Sequence, residues 1–155
     1  MLWIYGLVIL LAGMLYSNYS ASWYKQTIGY KGLRPRGYIY YFRGSNPFVV
    51  KIGRTISPTS RLRSHRTAMS NGIVVLGVVP VRNPKVAERY IHQLFASSRK
   101  HKKAEWFYMT IRLYWFIHVT SDVDLTYRMQ TLLERKAYQQ HRRSRTSNSS
   151  IVRYR

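Results

Sequence analysis

The sequence predicts an α+β fold in which short β-prone runs alternate with capped helices, behind an N-terminal segment with the character of a transmembrane helix. Three observations carry that expectation. Residues 37–53, GYIYYFRGSNPFVVKIG, hold two aromatic and β-branched runs around a Gly-Ser-Asn-Pro break. Ser57-Pro58 and Asn83-Pro84 each set a capping side chain before a proline, which is how helices commonly start. Residues 1–24 contain no charged side chain.

The apolar run Leu2 to Tyr16 is shorter than the ~20 residues a spanning helix needs. Continuing through the uncharged Ser, Asn and Tyr stretch to Trp23 supplies the length. Tyr19, Trp23 and Tyr24 suit the interfacial belt of a bilayer. Lys25, Lys31, Arg34 and Arg36 follow. Positive charge on that side predicts a single-pass membrane anchor at 1–24, a basic linker at 25–36 and a cytoplasmic C-terminal part. The rival is a cleaved signal peptide and secretion, with Ser20, Ala21 and Ser22 as the cleavage region. The lack of Lys or Arg ahead of the apolar run speaks against it.

The domain proper is expected over 37–119. Residues 38–43 and 48–53 form two strands joined by the turn at Gly44-Ser45-Asn46-Pro47. A helix follows from Pro58 to about Ala68, then a turn at Asn71-Gly72 and a buried strand, IVVLGVV, at 73–79. The helix opened by Asn83-Pro84 runs to about Ser97. It carries Val86, Ala87, Tyr90, Ile91, Leu94 and Phe95 on one face, with Glu88 at the edge of that stripe and His92 beside it. A basic loop at 97–103 precedes the aromatic cluster EWFYM at 105–109, and 110–119 is apolar but too short to span a bilayer. Ser121-Asp122 caps a last helix within 120–141, and 142–155 is a polar, basic tail with the composition of disorder.

Charge sets the class of partner. Lys and Arg number 26 against five acidic residues, a net +21. A field of that sign draws polyanions, nucleic acid or an anionic membrane surface. The absence of cysteine excludes disulfides and thiolate metal sites.

Several short motifs then fall in one order: Tyr38-Ile39-Tyr40, Lys51-Ile52-Gly53 with Arg54-Thr55 behind it, Arg61 with His65 one helical turn on, the AERYIHQLF helix bearing Glu88, and Glu105-Trp106-Phe107. In that order they resemble the GIY-YIG nuclease superfamily, and look closest to its T5orf172 branch of phage and other viral proteins. The resemblance implies a three-stranded, mainly antiparallel sheet flanked by helices, and metal-dependent hydrolysis of DNA. By carry-over, Tyr40 is a general-base candidate, Arg61 clamps phosphate, His65 orients phosphate or assists proton transfer, and Glu88 holds one Mg²⁺. Two positions depart from the pattern. Tyr38 stands where the first motif has glycine, and Lys51 replaces the tyrosine of the second. Lys51 either lowers the pKa of Tyr40 from across the hairpin or binds phosphate.

Arg54, Arg61, Arg63, Arg66, Lys100, Lys102 and Lys103 are the candidate nucleic-acid contacts. A zinc site from Glu88, His92 and His101 matches no standard spacing. Two other functions fit the composition: a non-catalytic DNA-binding module tethered to a membrane, and a basic protein acting at a lipid surface.

Overall fold

A computed structural model of the protein describes residues 35–68, 72–101 and 104–132, with a few isolated positions on either side. The expected membrane anchor, most of the basic linker and the C-terminal tail fall outside the described residues. Among those described, no helix is long and apolar enough to cross a membrane.

The chain order is β1 (Gly37–Arg43), β2 (Val49–Thr55), α1 (Pro58–Ala68), β3 (Val74–Val81), α2 (Pro84–Leu94), a 3₁₀ turn (Ala96–Ser98), β4 (Trp106–Tyr108) and α3 (Ile111–Thr120). Residues 123–132 are again helical. Local chemistry accounts for the boundaries. In the hairpin turn, the Asn46 side-chain oxygen accepts from the Phe48 N–H at 2.9 Å. Gly72 has φ 82°, a left-handed turn that a side chain would oppose. Asn83, extended, accepts from Val86 N–H at 3.2 Å, and Pro84 is the first helical residue. Thr110 and Asp122 cap the helices after them in the same way, at 3.1 and 2.8 Å.

The sheet has the order β3-β1-β2-β4, and every ladder is antiparallel. The expected three strands are therefore four. Strand β4 is only three residues long, too short for alternation to mark it in sequence. Its conformation comes from pairing, with Val49, Val50 and Lys51 of β2 opposite Tyr108, Phe107 and Trp106.

Central strand β1 is buried on both sides. Ile39 and Tyr41 pack with Ile52, Val79, Ile91, Phe95 and Phe116 under α2 and α3. Tyr40 and Phe42 face the other way, against Leu62 of α1, Val75, Val78 and Met129. The α2 stripe is split as helical periodicity requires, with Ala87, Ile91 and Phe95 buried and Val86 at its exposed margin. Helices thus cover the sheet on both faces.

Candidate functional site

The β1–β2 register sets Tyr40 opposite Gly53. A Cβ at Gly53 would overlap the Tyr40 hydroxyl and ring. Glycine there lets the ring lie across β2 with its hydroxyl directed at α1. The connection into α1 is held by Thr55, whose hydroxyl bonds both the N–H and the C=O of Ser57 at 3.0 Å. Arg61 and His65 then stand one turn apart on α1 and converge on one atom. Arg61 Nε donates to the Tyr40 oxygen at 3.2 Å, and His65 Nε2 lies 3.2 Å from the same oxygen. Phe42 supports the group, stacked on Tyr40 at 4.4 Å and edge-on to His65 at 5.8 Å.

Electrostatics assign the protons. Burial, reinforced by the Lys51 and Arg61 charges, pushes the His65 pKa down to about 4. His65 is therefore neutral at pH 7, and its Nε2 can accept the Tyr40 proton while Tyr40 accepts from Arg61. Burial raises the Tyr40 pKa above the ordinary phenol value, against the lowering effect of Arg61.

Lys51 shares the Tyr40 face of the sheet but sits opposite Phe42. Its ammonium pairs with Glu105 at 3.2 Å and lies 5.7 Å from the centre of the Trp106 ring. The expected lowering of the Tyr40 pKa by Lys51 is not realised: the register separates the two, and burial governs the tyrosine.

Glu88 enters from the other layer. Its α2 position brings it to the C-terminal end of β2, where Arg54 Nε donates to Glu88 Oε2 at 2.8 Å. Arg54, Arg61, Glu88 and Glu105 line one open cleft of about 350 Å³. The structure thus gathers Arg61 and Glu88 at one concavity, with Tyr40 and His65 behind Arg61 and Lys51 tied to its wall through Glu105. The cleft's two carboxylates are both paired: Glu88, 18 % exposed, with Arg54, and Glu105, 45 % exposed, with Lys51.

The zinc alternative fails. Among the described residues no three His, Asp or Glu side chains come together as a metal-holding group. His92 instead directs Nε2 at the Ile52 carbonyl at 3.2 Å and packs on Phe107 at 5.0 Å, with burial lowering its pKa. Of the candidate phosphate contacts, Arg63 and Lys100 are exposed, Arg66 is partly buried, and Lys102 and Lys103 fall outside the described residues. Sequence reasoning quoted Glu105 and Gly53 within motifs without giving either a role. Glu105 carries a signal in its rarity, as one of five acids in the chain.

No curated protein and no solved structure matches the chain. The T5orf172 domain matches residues 37–123, from the first residue of β1 to beyond α3, and this is more than half of the sequence. The chain belongs to the T5orf172 domain family.

Proposed function

We propose that this chain is a GIY-YIG-like endonuclease domain that hydrolyses DNA with a divalent metal. The observation that carries the reading is the Tyr40 hydroxyl held between the Arg61 guanidinium and the neutral His65, beside the cleft bearing Glu88. T5orf172 domains are nuclease-like, and the family supports nucleic acid as the partner. The positive charge agrees with it.

The protons can be followed. Water attacking phosphorus in line would break the P–O bond to the leaving strand, losing its proton to solvent at the open cleft while the leaving oxygen takes one up there. The Tyr40 oxygen, fully buried and outside the cleft lining, instead anchors Arg61 against His65. Arg61 is thereby fixed through Nε. Its terminal nitrogens are those that would meet non-bridging phosphate oxygens. Glu88 would hold the metal, with Glu105 the second carboxylate of the cleft. A divalent cation bound there supplies positive charge against the phosphate. The uncharged segment 1–24 would tether this activity to a membrane.

The test is plasmid cleavage by the full chain with Mg²⁺. Nicking or linearisation lost in Arg61→Ala and Glu88→Ala is the expected result. Wild-type protein that cleaves no more than those variants overturns the reading. One observation favours a second function, a non-catalytic DNA-binding module: Arg54 and Lys51 already neutralise Glu88 and Glu105. Binding that falls steeply with salt, without cleavage, would establish it.

A further inference from the structure

Strand β4 carries an aromatic side chain at each of its three positions, Trp106, Phe107 and Tyr108. Phe107 is fully buried in the core beneath α2 and α3. Successive strand residues alternate sides, so Trp106 and Tyr108 share the opposite face, about 7 Å apart along the strand. Their register partners there are Lys51 and Val49. Lys51 is opposite Phe42, and Phe42 packs in the same layer as Tyr40. The two aromatics, Lys51 and the Tyr40–Arg61–His65 group therefore lie on one face of the sheet.

Tyr108 is 50 % exposed although it lies in a strand, and Trp106 is partly exposed. Cations flank them on both sides. On the inner side is Lys51, above the Trp106 ring. On the outer side the exposed Lys100 donates its backbone N–H to the Trp106 carbonyl at 2.9 Å, whereas the Arg99 guanidinium lies over Phe107 on the other face. Aromatic faces with a basic rim match the two chemistries of a polynucleotide strand, flat π-surfaces and phosphates.

We propose that Trp106 and Tyr108 form a stacking platform for unpaired bases of a nucleic-acid strand that leads to the cleft. The proposal rests on the reading above that nucleic acid is the partner, and it names the form: a strand with at least a short single-stranded segment. In a duplex, base faces are covered by neighbours about 3.4 Å away along each strand and cannot stack on protein. Rings about 7 Å apart suit bases drawn away from one another. The exposed Lys100 meets the phosphates, and Lys51, paired with Glu105, adds positive charge beside the Trp106 ring. Glu105, adjoining Trp106 in sequence and lining the cleft, links platform to site.

Fluorescence anisotropy of the full chain with a labelled oligothymidylate of about 15 nucleotides, long enough for one site, tests this against a duplex of equal length. Tyr108→Ala removes an exposed ring and is expected to weaken single-strand binding about ten-fold, leaving duplex binding and the salt slope unchanged. Trp106→Phe keeps an aromatic face and is expected to retain most of the affinity, which guards against reading misfolding as lost stacking. Unchanged single-strand affinity in Tyr108→Ala, or an equal loss on both forms, overturns the platform and leaves the exposed rings to a protein partner. Wild-type chain that binds neither form overturns the nucleic-acid reading itself, so the two failures are distinguishable.

Discussion

Gly53 faces Tyr40 across the β1–β2 ladder, and the tyrosine hydroxyl occupies the space a Cβ at Gly53 would need. The Lys-Ile-Gly motif thus serves the first motif's tyrosine through an absent side chain. Gly53→Ala is expected to cost about 1–3 kcal/mol as an overpacked core substitution. Tyr40→Phe should not rescue it, because the overlap extends to the ring. Urea denaturation of the single and double variants checks both statements.

The Tyr40 hydroxyl joins Arg61 to His65, and both hydrogen bonds vanish in Tyr40→Phe. Under the proposed mechanism this variant loses cleavage while the ring stays stacked on Phe42. Stability is expected to fall by only about 1 kcal/mol, the usual net worth of such bonds. A folded, DNA-binding Tyr40→Phe protein with undiminished cleavage would remove Tyr40 as the anchor of Arg61.

His65 is held neutral by burial first and by the Lys51 and Arg61 charges second, with a pKa of about 4 against 6.5 for the free side chain. The sign follows from proton binding: between those values the unfolded chain takes up the proton and the folded one does not. Stability contributed by His65 is therefore present above pH 6.5 and declines as pH falls toward 4. His92, also shifted down by burial, adds in the same direction. Denaturation midpoints across that range should fall with acid, and His65→Gln should fall less steeply. NMR titration of His65 in Lys51→Met should show its pKa raised toward the free value.

Lys51 keeps only 14 % of its side chain exposed and Glu105 45 %, so the two partners respond unequally to removal of the other. Glu105→Gln leaves a largely covered ammonium without its counter-charge and is expected to cost about 1 kcal/mol. Lys51→Met keeps the packing of the stem, leaves a carboxylate that water can reach, and should cost less. A double-mutant cycle by urea denaturation measures the coupling.

Arg54 occupies one oxygen of Glu88. If Glu88 holds a cation, Arg54 competes with it, so Arg54→Gln should bind Mn²⁺ more tightly and Glu88→Gln should lose binding. Electron paramagnetic resonance with free Mn²⁺ reads both. Equal affinity in wild type and Glu88→Gln would place the metal elsewhere.

Much of the frame was legible because its signals are local. The Asn83-Pro84 cap and the 3.6-residue apolar stripe mark α2 within a dozen residues of chain, and the aromatic runs around Asn46-Pro47 mark the hairpin. Arg61 and His65 read as neighbours from helical spacing alone. Strand β4 was not legible, since three residues carry no period. Nor was the environment of Lys51: register places it opposite Phe42, and its partner Glu105 arrives from β4's side of the sheet.

By itself the sequence determined the alternation of elements, their caps, the sign of the field and the ordered motifs that align with the T5orf172 family. Short-range forces set these: backbone sterics, capping hydrogen bonds and periodic burial act over a few residues. Only tertiary structure decided that Tyr40 meets Arg61 and His65 through the gap at Gly53, that Arg54 holds Glu88 and Glu105 holds Lys51, and that Trp106 and Tyr108 share a face with them. Each of these depends on strand register or on packing between layers, where a shift of one residue would turn every side chain to the opposite face.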